Sequence, residues 1–362
     1  MSTSKALGWR RFLPQSPPLD ETGDPFAARH AGQSILVTGA GGFIGSALVK
    51  AISQSDPGCI VLLDSSEHNL FEIERDLKSA AKPVLHSAAL GTVEDRNLLD
   101  DIFSRFHPEI VYHAAAFKHV PLLEQNPFAG VRNNALGTYV LAQAAVRHGV
   151  SKLVLVSTDK AVNPHSILGV SKRIAELVVV ALSSPECRMN AIRLGNVIGS
   201  PGSVVPVFLK QIAESGPVTV THPEATRWFF PLRETVEAIL SAGTAACEGR
   251  ILLPDLGEPV RIAELAAFLI HAARNGSGGE IPIVFTGLRP GDKLTEELRL
   301  AGEIEEGCVE GLQVLKTRRL APAELDDMLA RLSNRIAGHD LSGLIRELCS
   351  AVPEYVPSGL LQ

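Results

Sequence analysis

The stretch "SILVTGAGGFIGSALVKAI", residues 34–52, indicates the fold class of the chain. It begins with a short continuous apolar run, Ile35 to Val37, as a strand buried on both faces of a parallel sheet requires. A glycine-rich turn follows. After the turn, apolar residues recur at the spacing of one helix face, at Ile44, Ala47, Leu48 and Ile52. We expect this strand, turn and helix to open a domain in which strands and helices alternate.

The turn contains three glycines, Gly39, Gly42 and Gly45, in the spacing GxxGxxG. In dinucleotide-binding domains the first glycine allows the tight turn, the second lets a pyrophosphate approach the backbone, and the third lets the helix pack on the strand. Asp64 ends the next apolar run, "CIVLLD", about 20 residues further on, where an acidic residue accepts hydrogen bonds from the ribose hydroxyls. Two serines follow Asp64, and no arginine stands next to it to bind the 2′-phosphate of NADP, so the pattern favours NAD over NADP.

Three further apolar runs have the character of the first strand: "EIVYHAAA" (109–116), "KLVLVSTD" (152–159) and "MNAIRLGNVIGS" (189–200). Helical patterns lie between them, over Leu122 to His148 and over Ser166 to Leu182. Strands that alternate with helices predict an α/β fold with a Rossmann-type, doubly wound parallel sheet.

The predicted elements divide the chain into four parts. We expect residues 1–33 to form an N-terminal arm and residues 34–200 to form the NAD-binding Rossmann domain. Proline and glycine then become frequent and the predicted elements become short, so residues 201–320 are predicted to form a smaller substrate-binding region, with a helix over 233–247 that packs back on the Rossmann domain. Two amphipathic patterns in residues 321–362 predict a C-terminal helical segment, used for packing or for subunit contact.

The composition argues against several classes of protein. The formal net charge of −6 over 362 residues supplies no basic field for nucleic acid. Five scattered cysteines form neither a CxxC motif nor a Cys/His cluster, so we expect neither a metal site nor a disulfide framework. No apolar run approaches the roughly 20 residues of a membrane helix, and the N-terminus has no apolar core of a secretory signal. We therefore expect a cytoplasmic protein with no membrane or nucleic-acid partner.

The stretch "VSTDKAVNPHSILGVSK", residues 156–172, carries the candidate catalytic residues. Asp159 and Lys160 follow a predicted buried strand, at the end where open α/β sheets bind ligands. There an acid and a base can stand side by side, with pKa values set by burial and by their mutual charge. A second interpretation stays open, in which Asp159 caps the following turn and Lys160 is solvated. Lys172 lies on the next predicted helix, four residues after the apolar Leu168.

The chain resembles the bacterial polysaccharide-biosynthesis nucleotide-sugar 4,6-dehydratases, a branch of the extended short-chain dehydrogenase/reductase superfamily. The matching segments run in order along most of the chain: "VTGAGGFIGS", "HAAAFKHVPLLEQNP", "NNALGT", "STDKAVNP", "LGNVIGSPGSVVPVF", "VTVTHPEATRWFF" and "GLRPGDKLTEEL". The KHVP, STDKAVNP and GLRPGEK-type signatures are far more specific than the glycine motif.

The resemblance implies a reaction. NAD-dependent oxidation at carbon 4 of a UDP-hexose, most often UDP-N-acetylglucosamine, acidifies the hydrogen on carbon 5. Loss of water from carbon 6 and return of the hydride then give a 4-keto-6-deoxy sugar. By the same resemblance Asp159 is the acid and Lys160 the base, and a dry pocket beside the charged cofactor would help to lower the pKa of the lysine. Thr158 and Lys172 complete the catalytic set. A relay through Thr158 or Asp159 replaces the tyrosine that other short-chain dehydrogenases carry at the position of Leu168, where an apolar residue is a character of this branch.

The resemblance also implies the binding residues. The NAD contacts are Gly39, Gly42, Phe43, Ile44, Gly45, Asp64, Ser65, Thr92, Val93, Ala114, Ala115, Ala116 and Lys172. The UDP-sugar contacts are Lys118, His119, Asn196, Ser203, Val204, Arg227 and Arg289. Among these, Arg289 is expected to clamp the diphosphate, because its planar fork matches phosphate oxygens. We expect a homo-oligomer, either a dimer or a larger closed assembly.

Two other functions stay open at this point. A UDP-sugar epimerase or oxidoreductase that removes no water would share the fold, but it has no use for an elimination acid and base. A catalytically inactive regulator that binds NAD and a nucleotide is supported by Leu168 alone. The catalytic residues Thr158, Asp159, Lys160 and Lys172 oppose it.

Overall fold

The computed structural model describes residues 29–255, 257–274 and 280–361. The predicted N-terminal arm lies almost entirely outside the described residues. In chain order the strands are β1 Ser34–Thr38, β2 Cys59–Asp64, β3 His86–Leu90, β4 Ile110–His113, β5 Lys152–Thr158, β6 Arg188–Leu194, β7 Asn196–Val197, β8 Val218–Val220, β9 Thr226–Arg227, β10 Phe229–Phe230, β11 Ile251–Leu253, β12 Val260–Arg261, β13 Ile283–Phe285, β14 Ile304–Val309 and β15 Leu312–Lys316.

The helices are α1 Phe43–Ser53, α2 Glu67–Lys78, α3 Arg96–Phe106, α4 Val120–Gln125, α5 Pro127–Val131, α6 Gly137–Arg147, α7 Ile167–Leu182, α8 Val204–Ala213, α9 Leu232–Thr244, α10 Ile262–Arg274, α11 Pro322–Ala337 and α12 Leu341–Ala351. A π-helical turn, Arg132–Leu136, joins α5 to α6, and a 3₁₀ turn, Asp159–Ala161, follows β5.

One large sheet organises the described residues, with the strand order β14-β15-β11-β6-β5-β4-β1-β2-β3. The strands from β3 to β11 run parallel, and the order 3-2-1-4-5-6 is that of a dinucleotide-binding sheet. The predicted Rossmann-type fold is confirmed. The hairpin β14–β15 adds two antiparallel strands at one edge, which the sequence did not lead us to expect.

Helices cover the central strands on both faces, which explains why these strands are apolar without alternation. Ile35, Leu36 and Val37 of β1 are fully buried. The helices form two groups of mutual contacts, α1 with α2 and α9, and α3 with α6, α7 and α11. Because the central strands run parallel, their carboxyl ends lie at one edge of the sheet, and the candidate site lies at this edge.

A second, smaller core is formed by α8, α10 and the short strands β8, β12 and β13, and it includes the buried Phe208 and Leu269. Parts of the predicted region 201–320 belong to the first core instead. Strands β11, β14 and β15 extend the large sheet, which was not predicted, whereas α9 packs against α1 and β5, as predicted for the helix over 233–247. The chain thus leaves the large core after β6 and later returns to it. Residues 201–320 are therefore divided between the two cores.

The C-terminal helices α11 and α12 pack on each other and on the first core, and residues 167–180 of α7 are all buried. The last described residues then return to the loop between β5 and α7. The N–H of Val356 donates to the carbonyl of Pro164 at 3.0 Å. The buried Glu124 carboxylate accepts hydrogen bonds from the Ser358 hydroxyl and, at 2.7 Å, from the N–H of Ile167. The C-terminal segment therefore supports the loop that follows the predicted catalytic residues.

The predicted helix over residues 122–148 is divided. Pro127 has no N–H to continue the first helical piece and begins α5. The π turn then inserts an extra residue into the helical ladder. In this turn the amide of Asn134 accepts from the N–H of Phe117 at 2.9 Å, and it donates to the Phe117 carbonyl at 3.0 Å and to Ser171 Oγ at 3.1 Å. The interruption therefore ties the loop after β4 to α7.

The longest helices in the described part of the chain, α7 and α11, have 16 residues each. Among the described residues, no helix combines the length and the apolar character that crossing a membrane requires.

Candidate active site

The glycine turn between β1 and α1 is packed too closely for side chains at two of its glycines. Gly39 has φ +67°, and a Cβ there would lie 2.7 Å from the N atom of Ala115. A Cβ on Gly45 would lie 1.9 Å from the carbonyl oxygen of Gly39, so helix and turn approach as closely as a glycine permits. Gly42 precedes α1 and no side chain caps this helix, which leaves its first backbone amides to bind an anion.

Asp64 ends β2 beside this turn and is buried. Its carboxylate accepts hydrogen bonds from the N–H groups of Gly41 and Ser66, both at 2.9 Å. Two backbone donors on different segments therefore orient the carboxylate before any ligand binds. A carboxylate held in this way accepts hydrogen bonds from hydroxyl groups and repels a phosphate.

The other predicted cofactor residues lie at the same edge of the sheet. The N–H of Ala115 is 3.4 Å from Thr38 Oγ1, so the chain after β4 lies against the end of β1. Thr92 is exposed and Val93 is buried, shortly after β3 ends. The remaining predicted contacts adjoin these positions: Phe43 and Ile44 begin α1, Ser65 follows Asp64, and Ala114 and Ala116 flank Ala115.

A buried histidine links the ends of β1 and β4, and it was not predicted. His113 Nδ1 lies 2.7 Å from Thr38 Oγ1, and Nε2 lies 2.9 Å from Thr138 Oγ1. The Thr138 hydroxyl donates to the Asn134 carbonyl at 2.7 Å, so it accepts from Nε2–H and leaves Nδ1 to accept from Thr38. Burial, with a smaller effect from the charge of Lys172, lowers the pKa of His113 to about 3. The ring is therefore neutral, and it connects the ends of β1 and β4 near the predicted cofactor contacts.

The predicted catalytic residues lie together at the end of β5. Asp159 is fully buried, and its Oδ1 accepts from Thr158 Oγ1 and from Lys160 Nζ, both at 2.9 Å. Oδ2 is buried without a hydrogen-bond partner among the described residues. Thr158, and not Asp159, caps the 3₁₀ turn, since its hydroxyl accepts from the Lys160 N–H at 3.4 Å. The Lys160 side chain is 21% exposed, so the interpretation with a capping Asp159 and a solvated Lys160 is wrong.

The Lys160 ammonium lies between polar groups from distant parts of the chain. Nζ donates to Asn196 Oδ1 at 3.0 Å and lies 3.8 Å from Oε1 of the buried Glu296. We predicted that a dry pocket would help to lower the pKa of Lys160, but the net direction in the structure is the opposite, although burial alone would lower it. The charges of Asp159 and Glu296 outweigh burial and the repulsion from Arg227, so the pKa lies above its ordinary value. Lys160 is therefore a cation in this arrangement.

Lys172 lies on α7 and is buried. Burial lowers its pKa to about 8, although Glu176, one turn further along the helix, acts in the opposite direction. Leu168, one turn before Lys172, is also buried and belongs to the main core. Side chains four residues apart share one helix face, so Leu168 and Lys172 are neighbours.

A buried ionic network, also missed from the sequence, lies behind these residues. Glu176 accepts hydrogen bonds from the Ser157 hydroxyl at 2.7 Å, from Arg173 at 3.0 Å, and from two nitrogens of Arg193 at 2.9 and 2.8 Å. Arg193 is fully buried and also binds Glu303 with two hydrogen bonds of 2.7 Å. Burial would raise the pKa of Glu176, but the charges and hydrogen bonds of the arginines lower it to about 2. The network joins β5, β6 and α7 to the segment before β14.

Four of the predicted substrate residues meet around one loop. Lys118 Nζ donates to Ser200 Oγ at 2.7 Å and to the Pro201 carbonyl at 3.1 Å, and burial lowers its pKa. The exposed His119 lies against Gly202, where a Cβ would be 2.8 Å from the ring. Ser203 and Val204 follow at the start of α8, which no side chain caps. The loop thus presents the Lys118 side chain and the His119 ring together with an uncapped helix N-terminus.

The two predicted arginines have different surroundings. The Arg289 side chain is 58% exposed, and its Nε donates to Asp292 at 2.8 Å. The Arg227 guanidinium points inward and donates to the carbonyls of Thr226, Lys293 and Leu294 at 2.7 to 3.1 Å. Arg289 is therefore open to a ligand, whereas most donors of Arg227 are occupied by backbone.

Comparison with known proteins identifies the family to which the chain belongs. Residues 35–311 match the family model described as "Polysaccharide biosynthesis protein". The probable polysaccharide biosynthesis protein EpsC of Bacillus subtilis is 43% identical over 76% of this chain. The capsular polysaccharide biosynthesis protein CapD of Staphylococcus aureus is 44% identical over 75% of this chain. Both matches cover 46% of the relative, so the chain spans about half the length of these proteins. A UDP-glucose 4-epimerase of Rickettsia canadensis is 31% identical over 74% of this chain and 77% of its own length.

Solved structures share the fold. The structure of Pen from Bacillus thuringiensis superposes with a TM-score of 0.68 and 28% identity, over 74% of this chain and 84% of Pen. The structure of DesIV from Streptomyces venezuelae, a dTDP-glucose 4,6-dehydratase with NAD and DAU bound, has a TM-score of 0.64 and 22% identity, over 73% of this chain and 88% of DesIV. The fold, the motif-bearing segments and these matches agree, and the chain belongs to the polysaccharide biosynthesis protein family of Rossmann-fold, extended short-chain dehydrogenase-type proteins.

Proposed function

We propose that the chain is an NAD-dependent UDP-sugar 4,6-dehydratase, that its substrate is UDP-N-acetylglucosamine, and that it forms a 4-keto-6-deoxy nucleotide sugar. The observation that carries this proposal is the hydrogen-bonded group of Thr158, the buried Asp159 and Lys160 at the carboxyl end of β5. An acid and a base held together beside a dinucleotide turn serve an elimination, whereas oxidation or epimerisation alone does not need both.

The residues at the sheet edge fit NAD. Gly39 and Gly45 let β1, α1 and the chain after β4 approach closely, and the uncapped start of α1 offers backbone amides to a pyrophosphate. The preoriented Asp64 carboxylate would accept the ribose hydroxyls, and Lys172 would hold the other ribose. When bound, NAD supplies a hydride acceptor that later returns the hydride to the substrate.

The proton balance gives Asp159 two roles. The hydroxyl on carbon 4 passes its proton to Thr158 Oγ1, which passes its own proton to Asp159 Oδ1, 2.9 Å away. The protonated Asp159 then gives this proton to the hydroxyl on carbon 6, which leaves as water. Lys160 first loses its ammonium proton to solvent, then takes the proton from carbon 5 and afterwards returns one to carbon 5. No proton is gained or lost over the turnover, so this relay needs no tyrosine.

The remaining polar residues are assigned to the nucleotide. We propose that the exposed Arg289, the start of α8 at Ser203 and Val204, and Asn196 bind the diphosphate and the nucleotide. Lys118 and His119 are assigned to the cofactor and sugar side of the same loop. Arg227 is retained as a weaker candidate, because its donors already bind backbone carbonyls.

Leu168→Met is expected to change the rate of product formation by less than about threefold, because volume-conserving apolar substitutions cost little. The measurement is the steady-state rate with the purified variant. Leu177→Met, on the same helix and also buried, is the matched control for packing. A loss of more than about tenfold in Leu168→Met alone would contradict a relay that bypasses this position.

The function is tested by incubating the purified protein with UDP-N-acetylglucosamine and catalytic NAD and following the sugar by mass spectrometry. Loss of one water without net formation of NADH is the expected result. An isomer of unchanged mass would contradict the dehydratase and favour the epimerase, the activity in the name of the Rickettsia relative. Substrate that stays untouched, while a panel of other UDP-sugars loses water, would contradict the choice of sugar.

A homo-oligomer stays our prediction for the assembly, and light scattering on the purified protein tests it. Helix α7 is buried within one chain by its own neighbours. Contacts between copies would therefore use other surfaces.

A further inference from the structure

A second buried carboxylate faces Lys160, and the mechanism above does not use it. Glu296 comes from the segment "GLRPGDKLTEEL". Its Oε1 lies 3.8 Å from Lys160 Nζ and 3.7 Å from Arg227 Nε. Its Oε2 is buried and has no hydrogen-bond partner among the described residues. Buried carboxylates without such a bond are costly, so this one calls for an explanation.

The backbone, and not a bond to Lys160, determines where Glu296 lies. The N–H of Thr226 donates to the carbonyl of Leu294 at 3.0 Å. Arg227 donates to the carbonyls of Leu294 and Lys293 at 3.1 and 2.8 Å. Lys293 Nζ donates to the Val162 carbonyl at 3.3 Å, in the loop after the catalytic turn. These contacts fix the segment against β9 and beside Lys160.

The charges around Lys160 alternate in sign. The ammonium lies 2.9 Å from Asp159 Oδ1 and 3.8 Å from Glu296 Oε1, and Arg227 Nε lies 3.7 Å from the same oxygen of Glu296. Burial, with a smaller effect from the charge of Asp159, raises the pKa of Glu296 above its ordinary value, although the charges of Lys160, Arg227 and Lys293 act in the opposite direction. At 3.8 Å the contact between Glu296 and Lys160 is too long for a hydrogen bond, but Coulomb attraction falls only with the first power of distance and is strong where water is excluded. Glu296 therefore acts on the lysine through its charge.

We propose that Glu296 is a positioning residue for Lys160, and that its carboxylate, together with Asp159, keeps this lysine a cation at neutral pH in the free enzyme. The proposal deepens the proposed function, because a lysine that serves as a base must first give up the proton that Glu296 helps to retain. The two carboxylates then have separate tasks: Asp159 exchanges protons with the substrate, and Glu296 determines when Lys160 can do so.

Glu296→Gln tests the proposal, because it removes the charge and keeps the shape. The readout is the pH at which Lys160 becomes reactive toward acetic anhydride, measured by peptide mass spectrometry, with the exposed Lys210 as internal reference. Removing a carboxylate from beside an ammonium lowers the pKa of the lysine. We expect half-labelling to move down by about one pH unit or more, which is about a tenfold larger neutral fraction at a given pH below the transition.

Glu297→Gln is the matched control, because the neighbouring Glu297 side chain is half exposed and binds Lys293 and Asn163. It should leave half-labelling of Lys160 where it is. If Glu296→Gln does not fold, Glu296→Asp retains the charge at a longer distance and should give a smaller shift in the same direction. Half-labelling that is unchanged in a folded Glu296→Gln protein would overturn the proposal.

A pH profile of kcat/KM separates this proposal from the proposed function. If Lys160 is the base, activity rises with pH through its pKa, so Glu296→Gln should move that rise to lower pH. A role in folding alone would lower the rate at every pH without moving the rise. If labelling shifts and no sugar loses water, Glu296 acts as proposed and the dehydratase assignment fails. If water is lost and labelling of Lys160 does not shift, the dehydratase assignment holds and the proposed role of Glu296 is wrong.

Discussion

Asp159→Asn is expected to lower the rate of water loss by about a thousandfold, in the range that a positioned general acid or base contributes. The asparagine amide has nearly the shape of the carboxylate, but it can neither take the proton that Thr158 passes on nor give one to the leaving hydroxyl. Asp159 is fully buried and in contact with both Thr158 and Lys160, so no water molecule can readily take over its role. The measurement is the rate of formation of the dehydrated sugar, by mass spectrometry.

Two comparisons make this result specific. Asp327→Asn, at an exposed position of α11, should change the rate by less than about twofold, as surface substitutions do. Lys160→Ala should be as inactive as Asp159→Asn, because the elimination needs the base as well as the acid. If Asp159→Asn kept more than about a tenth of the wild-type rate, the assignment of Asp159 as the acid would be wrong.

Arg193→Met is expected to lower the free energy of unfolding by about 3–5 kcal/mol, the cost of breaking a buried ion pair by removing one partner. Methionine fills much of the same volume, but it leaves Glu176 and Glu303 without the four short hydrogen bonds that Arg193 donates. The measurement is the midpoint and slope of urea unfolding. Arg188→Met, at the exposed start of the same strand, is the control and should cost less than about 0.5 kcal/mol.

A second substitution checks the cause of this loss. Adding Glu303→Gln to Arg193→Met removes one of the two buried carboxylate charges that have lost their arginine partner, and it should restore part of the lost stability. The pH dependence has a defined sign. The pKa of Glu176 is about 2 in the folded chain, against an ordinary value of 4.5, so its contribution is complete above pH 4.5 and is lost as the pH falls toward 2. A double variant no more stable than Arg193→Met would show that the loss arises from packing.

The sequence alone predicted five parallel strands of the sheet (β1, β2, β4, β5 and β6) and the glycine turn after β1, because both follow from short-range rules. It did not predict β3, β11 or the edge hairpin β14–β15. A short, continuous apolar run such as Ile35 to Val37 is typical of a strand that helices cover on both faces. The turn requires glycine at Gly39 because φ is +67°, and at Gly45 because a Cβ there would meet the Gly39 carbonyl. The position of Asp64 at the end of β2 follows from the same local pattern. Asp159 and Lys160 could be singled out because they directly follow a strand whose end faces the ligand edge.

Tertiary structure decided which distant residues complete the site. In "LTEEL" two glutamates are adjacent, and nothing local indicates that Glu296 is buried beside Lys160 while Glu297 is half exposed. The same holds for Arg193, whose partners come from α7 and from the segment before β14. The protonation of Lys160 was also out of reach, because burial and two carboxylates act on it in opposite directions and only their distances decide the result. Periodicity and turn chemistry act over a few residues, whereas Coulomb energies depend on separations that exist only after the chain has folded.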